Sequence, residues 1–216
     1  MRRRGDDDLL ARLLEQRAQA AYGGPVAGVD EAGRGPLAGP VMVGAVVLPQ
    51  RLRGAGRLAD SKRLTAAERQ ELAAWLRTVA VAWAVRRVGP RTVDRLGIAQ
   101  ATHLGMVRAV AALGSEVRLA LIDGPVAPTP TGVRGLRVVD GDRIAAAVMA
   151  AAILAKTARD REMARWHGIY PGYGFDRHKG YATPDHLARL RRLGPSPIHR
   201  VSFLGGQAPT SSRAPA

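Results

Sequence analysis

Three of the strands predicted from this sequence end in carboxylates, and this pattern limits the folds that the chain can adopt. Short apolar stretches alternate with helical patterns, which favours a sheet covered by helices on both faces. Functional side chains gather where strand ends meet in such a sheet, so we expect these acids to lie together. The stretches and the acids that follow them are 26–29 with Asp30 and Glu31, 117–122 with Asp123, and 133–139 with Asp142.

The remaining patterns complete an α/β domain. Thr65 with Glu68 three residues later forms a capping-box pattern, so a helix begins there. Thr183 followed by Pro184 begins another helix near the C-terminus. The predicted strands are 26–29, 40–48, 79–88, 117–122 and 133–139, and further helices are predicted at 7–21, 92–113 and 144–167.

Length and composition indicate one main core with short appendages. The chain of 216 residues is 46% hydrophobic, which is enough to bury a core of normal size. The last twelve positions contain nothing that could build a core, and we expect them to be disordered. The predicted division is an N-terminal helix at 1–22, a main domain at 23–168, a helical extension at 169–204 and a tail at 205–216.

Charge and cysteine content narrow the class of partner. A formal net charge of +15 favours a polyanion, with nucleic acid ahead of an anionic membrane. The sequence shows neither an apolar run of the roughly 18 residues that a membrane span needs nor the apolar segment of a signal peptide. The absence of cysteine excludes disulfides and thiolate zinc sites. We therefore expect a cytoplasmic, monomeric protein that binds nucleic acid and no membrane.

The acids at the strand ends suit a divalent cation. Carboxylate oxygens are hard ligands that select Mg²⁺ or Mn²⁺, and two ions about 3.5–4 Å apart can drive an in-line displacement at phosphorus. The alternative is that each acid only caps a helix or a turn. Successive side chains of a strand point to opposite faces, so joint ligation by Asp30 and Glu31 requires the chain to turn at Glu31.

Glycine, aromatic and basic residues in two segments are candidates for substrate binding. Gly33, Arg34 and Gly35 form a turn in which main-chain groups can approach a ligand closely while a guanidinium meets phosphate or ribose oxygens. Aromatic and basic residues interleave near the C-terminus, as expected where a sugar or base is touched. Two or three of these aromatics would fill a small core and Tyr181 would be exposed, while His178 and His199 could meet phosphate.

Together these motifs resemble ribonuclease HII over about 26–203. The matching segments are GVDEAGRGPLAGPV (28–41), DSKRLT (60–65), LIDG (121–124), GD (141–142), AAAILAKTARD (150–160), YPGYGF (170–175), HKGYATPDHL (178–187) and GPSPIHRVSF (194–203). The resemblance implies an RNase H-like mixed five-stranded sheet flanked by helices, with a small C-terminal helical extension. It also implies cleavage of the RNA strand of RNA–DNA hybrids and of single ribonucleotides in duplex DNA, leaving 3′-hydroxyl and 5′-phosphate ends.

The resemblance also assigns roles to residues. It implies that Asp30, Glu31, Asp123 and Asp142 hold two Mg²⁺ or Mn²⁺ ions. It further implies that Gly33, Arg34 and Gly35 read the ribose 2′-hydroxyl together with Tyr181. Other basic residues in the matching segments are expected to contact substrate, and these are Lys62, Lys179, His199 and Arg200.

Some positions depart from the family pattern. Asp140 replaces a usual lysine, which leaves open whether it or Asp142 binds metal, and we favour Asp142. Ala147 and Ala152 replace serines, which removes hydrogen bonds near the site. The sequence shows no obvious sliding-clamp peptide. Two alternatives remain at this stage, a non-catalytic RNA- or hybrid-binding module and another RNase H-fold nuclease that acts on DNA junctions.

Overall fold

The structure is a computed structural model that describes residues 17–52, 54, 56–59, 64–138, 140–141 and 145–205, with only the main chain at 56 and 59. Three predicted features lie outside this part of the chain, namely the metal ligand Asp142, the substrate contact Lys62 and the tail beyond 205. Of the predicted N-terminal helix, residues 17–22 are described and are helical. No helix in the described part of the chain is long and apolar enough to span a membrane.

A mixed five-stranded sheet forms the centre of the molecule, in the order β3-β2-β1-β4-β5. The first three strands are antiparallel neighbours, and β4 and β5 run parallel to β1. This arrangement confirms the predicted α/β class and the hairpin-like link through the glycine-rich turn. The strands are β1 (Val26–Ala32), β2 (Val41–Val47), β3 (Ala82–Val88), β4 (Leu119–Asp123) and β5 (Arg134–Val138).

Helices cover the sheet and form the C-terminal extension. The second helix begins with the predicted capping box between Thr65 and Glu68, and the last begins after Thr183 with Pro184 at its first position. The helices are α1 (Gly56–Ala59), α2 (Ala66–Val79), α3 (Pro90–Leu96), α4 (Ile98–Ala111), α5 (Ala146–Ile169), α6 (Phe175–His178) and α7 (Pro184–Leu193).

Two elements differ from the sequence-based expectation. The single helix predicted at 92–113 is wrong, because Gly97 adopts a φ of 75° and separates α3 from α4. The turn at Glu31 that joint ligation by Asp30 and Glu31 would require is not seen, since β1 continues to Ala32 and stays paired with β2. Asp30 and Glu31 therefore leave opposite faces of one strand.

Each face of the sheet carries its own apolar core. Helix α4 packs against one face, where Val29 and Ile122 meet Met106. Helices α2 and α5 pack against the other face, where Val46 meets Leu76 and residues of α5. This double cover leaves the functional groups at the sheet edge where β1 and β4 end.

Helix α5 crosses β1 and β2 at very short range. A Cβ atom on Gly28 would lie 2.0 Å from the main-chain carbon of Ala147, and one on Gly44 would lie 2.3 Å from the carbonyl oxygen of Ala151. Only glycine allows this approach, and the obstructing atoms are main chain that no side-chain rotation can clear. The contact fixes the strand that carries Asp30 and Glu31.

We therefore predict that Gly28→Ala lowers the free energy of unfolding by about 3 kcal/mol, because α5 must move away from β1. Gly168→Ala is the matched control. Gly168 lies on α5, and a Cβ atom there would meet no atom within 4 Å. Its expected effect is neutral or stabilising by up to about 1 kcal/mol. Urea unfolding of both variants measures the difference, and equal stabilities would contradict this account of the packing.

Candidate active site

The acids of β1 and β4 lie at the same edge of the sheet. The parallel pairing of these strands ends with Val29 opposite Ile122, so Asp30 and Asp123 follow at corresponding positions of neighbouring strands. The main-chain N–H of Glu31 donates to Asp30 Oδ1 at 2.7 Å. Asp30 and Asp123 thus lie side by side at the ends of β1 and β4, whereas Glu31 continues β1 toward its other face, and ligation of a metal by these acids stays a prediction.

Glu31 carries a carboxylate that the protein only half satisfies. Its Oε1 accepts a hydrogen bond from Arg34 Nη1 at 3.2 Å, whereas its buried Oε2 has no hydrogen-bond partner among the described residues. Burial raises the pKa of Glu31, the nearby Asp123 adds to this rise, and Arg34 opposes it. A buried, unpartnered carboxylate oxygen is costly, and a bound cation would compensate it.

Asp123 links β4 to the segment that follows β5. Its Oδ1 accepts a hydrogen bond from the main-chain N–H of Gly141 at 3.0 Å, and Gly141 directly precedes Asp142 in the sequence. Asp140 is described and exposed, with a φ of 54°. Among the described residues no group of three His, Asp or Glu side chains meets the geometry of a metal site, and the fourth predicted ligand lies outside them.

A small cleft opens beside these acids. It has a volume of about 190 Å³ and lies between the glycine-rich turn, the end of β4 and helix α4. Arg34 and Asp123 face it from one side, and Thr102 and His103 face it from the helix. The cleft gives a ligand access to the edge of the sheet that carries the carboxylates.

Arg200 fixes the conformation of the glycine-rich turn through hydrogen bonds to its main chain. Its fully buried guanidinium donates to three main-chain carbonyl oxygens, those of Gly39 at 3.0 Å, Arg34 at 2.8 Å and Gly33 at 2.6 Å. Burial lowers the pKa of Arg200 to about 10, so the group stays charged at neutral pH. The carbonyl dipoles stabilise this buried charge, and the charge in turn fixes the turn.

Arg159 makes a second connection between the turn and the extension. Its guanidinium donates to the carbonyl oxygens of Ala38, Pro40 and Lys179, and its Cζ lies 5.7 Å from the ring centroid of Tyr181. Sequence reasoning did not identify Arg159 as a functional residue. One signal in the sequence could have identified it. Arg159 is a charged residue within an alanine-rich matching segment, and such a segment is expected to form a buried helix.

Tyr181 stands beside the turn and is accessible. Its side chain is 46% exposed, and a Cβ on Gly35 would come 4.0 Å from its Cε1 atom. The main-chain N–H of Leu37 donates to the carbonyl of Gly180 at 2.8 Å, which aligns the two segments. The structure therefore brings together the residues that were predicted to read the ribose, Gly33, Arg34, Gly35 and Tyr181.

Other predicted contacts turn out to be internal. Arg200 is fully buried and His199 is 3% exposed, so neither side chain is placed to touch a substrate, and their predicted substrate contact is corrected. His178 is likewise buried and donates inward to the carbonyl of Tyr173. Lys179 lies partly exposed beside Tyr181, with its Nζ 2.6 Å from the carbonyl oxygen of Asp176.

The mixed sheet with carboxylates at the ends of β1 and β4 defines an RNase H-like α/β protein. The sequence model described as Ribonuclease HII matches residues 27–205, and the chain belongs to the ribonuclease HII family. A curated ribonuclease HII from Bordetella pertussis is 51% identical over 178 residues, which cover 82% of this chain and 88% of that protein. Family membership makes the protein a ribonuclease H, which is a hydrolase.

Solved structures agree with this assignment. The crystal structure of ribonuclease H2 from Pyrococcus horikoshii is similar with a TM-score of 0.71 and 28% identity, over 82% of this chain and 92% of that one. Ribonuclease HII from Archaeoglobus fulgidus, solved in complex with PCNA, has a TM-score of 0.71 and 28% identity, over 82% and 93% of the two chains.

The half-satisfied carboxylate of Glu31 generates a stability prediction. Because its folded-state pKa is raised, its contribution to stability is full below the ordinary pKa and is lost as pH rises through the folded-state value. Glu31→Gln should therefore raise the free energy of unfolding at pH 7 by on the order of 1 kcal/mol in the presence of a chelator. Thermal unfolding measures this, with the exposed Glu71→Gln as control, and a destabilised Glu31→Gln protein would contradict it.

Proposed function

We propose that the protein is an endonuclease that hydrolyses the RNA strand of RNA–DNA hybrids and cuts at single ribonucleotides embedded in duplex DNA. Products would carry 3′-hydroxyl and 5′-phosphate ends. The observation that carries the proposal is the buried Oε2 of Glu31, which has no hydrogen-bond partner within the described part of the chain, near the ends of β1 and β4 that carry Asp30 and Asp123. Burying a carboxylate oxygen without a hydrogen bond costs free energy, and a bound cation would compensate that cost.

The donor set fits magnesium or manganese. Asp30, Glu31 and Asp123 offer carboxylate oxygens, which hard divalent cations prefer, and we assign Asp142 as the fourth ligand because Asp123 holds the preceding Gly141. Two bound ions supply an activated water and stabilisation of the departing oxygen. The protein contributes the rigid strand ends that keep the carboxylates in place.

The turn and Tyr181 would supply the selectivity for RNA. The 2′-hydroxyl is the group that separates RNA from DNA, and it both donates and accepts hydrogen bonds. Arg34 lines the cleft and Gly35 is exposed beside it, with the ring of Tyr181 close to Gly35, whereas Gly33 is buried and its carbonyl accepts from Arg200. A ribose seated there would present its 2′-hydroxyl to the turn and its ring to the tyrosine.

Cationic groups would hold the nucleic-acid backbone. Arg34 has a side chain 43% exposed beside Glu31, and Lys179 lies next to Tyr181 along the same surface. We assign Lys62 to the same role because it belongs to a matching segment. The formal net charge of +15 adds a general attraction for phosphate that weakens as salt rises.

A set of matched duplexes tests the proposal. The protein is incubated with Mg²⁺ or Mn²⁺ and either a DNA duplex with one ribonucleotide, a long RNA–DNA hybrid, or all-DNA duplexes and junctions of the same length. We expect cleavage only of the first two, on the 5′ side of the ribonucleotide in the first. Binding without cleavage would identify a binding module, and cleavage of all-DNA junctions would identify a different nuclease.

Asp30→Asn should abolish cleavage of the single-ribonucleotide duplex by at least about 10³-fold while leaving hybrid binding within about twofold, because removal of the charge disables metal binding but not the basic surface. Asp94→Asn is a control carboxylate, since Asp94 bonds the main chain at Val201 and Ser202 instead. Gel-based cleavage and fluorescence anisotropy measure the two quantities. Retained cleavage by Asp30→Asn would remove Asp30 from the ligand set.

Tyr181→Ala should lower kcat/KM for the single-ribonucleotide duplex about ten- to a hundredfold, and narrow the difference between ribo and deoxy substrates, because one stacking contact is worth about 1–3 kcal/mol. Trp83→Ala is the matched control, since Trp83 is 41% exposed and packs 5.4 Å from Arg77 on the distant edge strand β3. Unchanged discrimination in the Tyr181 variant would show that the ring does not read the ribose.

A further inference from the structure

Three buried histidines lie close to Tyr181 in the C-terminal extension. His186 is fully buried, His199 is 3% exposed and His178 is 9% exposed. The rings of His178 and His186 stack with centroids 4.2 Å apart, and Phe175 packs edge-on against both. The metal and ribose chemistry proposed above uses none of these imidazoles.

Hydrogen bonds fix the proton on each ring nitrogen of His186 and His199. The main-chain N–H of Ser196 donates to His199 Nδ1 at 2.9 Å, which leaves the His199 proton on Nε2. A carbonyl can only accept, so His186 Nδ1, at 2.8 Å from the oxygen of Tyr181, carries the His186 proton. The two Nε2 atoms are 3.1 Å apart, and His199 must be the donor between them.

The result is a directional chain that runs from Ser196 through His199 and His186 to the main-chain carbonyl of Tyr181. We propose that His186 and His199 are positioning residues that hold Tyr181 beside the glycine-rich turn, and that they do so only while each imidazole carries a single proton. This inference rests on the proposed role of Tyr181 in reading the ribose. It gives both residues an internal function in place of the substrate contact expected for His199.

A second proton on either ring breaks the chain. Doubly protonated His186 would place an N–H against the N–H of His199. Doubly protonated His199 would place one against the main-chain N–H of Ser196, and only the Ser196 Oγ, 2.8 Å from Nδ1, could accept it. Burial reinforces single protonation, since it is the largest cause that lowers the pKa of all three histidines, that of His199 to about 4. Among the neighbours, His178, His186, Arg177 and Arg189 lower these pKa values, and Asp185, Ser196, Gly180 and the carbonyls of Tyr173 and Tyr181 raise them.

The unmodified protein tests the geometry first. Long-range ¹H–¹⁵N NMR of the full chain at pH 7.5 should show His186 protonated on Nδ1 and His199 protonated on Nε2. Neither ring should titrate between pH 8 and pH 6. The opposite tautomers, or titration of His186 and His199 near pH 6.5, would overturn the proposal without any substitution.

Two substitutions at one position then separate positioning from simple packing. His186→Asn keeps a donor near the Nδ1 position and has no titratable group, whereas His186→Leu fills the space without a donor. We expect His186→Leu to lower kcat/KM for the single-ribonucleotide duplex roughly three- to tenfold relative to His186→Asn, as the loss of one hydrogen bond implies. Equal values, measured well below both unfolding midpoints, would contradict the positioning role.

A third variant tests the single-proton condition. His199→Asn keeps an acceptor for Ser196 but removes the donor to His186 Nε2, so His186 becomes free to take a second proton. The acid limb of the kcat/KM profile should therefore move to higher pH, while the control His167→Asn leaves the profile unchanged. An unmoved limb in His199→Asn would overturn the condition.

The proposed function and the positioning role of the histidines can be disproved separately. If the unmodified protein leaves the single-ribonucleotide duplex intact, the proposed function fails, and the NMR tautomers still decide whether the hydrogen-bond chain exists. If the unmodified protein cuts that duplex and all histidine variants match it at every pH, the positioning role fails and the proposed function stands.

Discussion

Two buried guanidinium groups join the glycine-rich turn to the C-terminal extension, and the candidate site depends on them. Arg200 and Arg159 each donate to three main-chain carbonyl oxygens, and between them they hold most of the segment 33–40. Lysine could not replace either group, because a single ammonium lacks the planar fork that reaches several carbonyls at once. The turn can therefore expose main-chain groups to a ligand without losing its shape.

The sheet supplies the other half of the site. Close contact between α5 and the glycines of β1 and β2 sets the position of the strand that ends with Asp30 and Glu31. Pairing of β1 with β4 stops at Val29, so Asp30 and Asp123 lie where these two strands part, while β1 stays paired with β2 and β4 with β5. Glu31 Oε2 has no hydrogen-bond partner from the residues that the structure describes, and burying it costs stability that metal binding would offset.

Local patterns in the sequence predicted the elements well where neighbouring residues decide the outcome. The capping box at Thr65, the proline-led start of α7 and the hairpin between β1 and β2 all follow from short-range chemistry. The break at Gly97 was missed because a helical pattern on both sides conceals one residue with positive φ. The continuation of β1 to Ala32 was missed because it depends on pairing with β2.

The candidate site was likewise predictable only in part. The alternation of elements predicted that Asp30 and Asp123 would meet at one edge of the sheet, and β1 and β4 do pair there. Glu31 continues β1 instead of turning beside them, and the site roles of these acids and of the turn stay predictions. The burial of His199 and Arg200 was not visible, because basic residues in a basic segment are expected at the surface. Their partners are main-chain carbonyls and another histidine, and such contacts leave no charge pattern in the sequence.

Anomalous diffraction from crystals grown with Mn²⁺ and a ribonucleotide-containing duplex tests the central claim most directly. The account predicts manganese peaks bounded by the carboxylates of Asp30, Glu31, Asp123 and Asp142, with the 2′-hydroxyl of the ribonucleotide against Gly33–Gly35 and Tyr181. Manganese bound elsewhere, or a duplex seated away from the ends of β1 and β4, would contradict it.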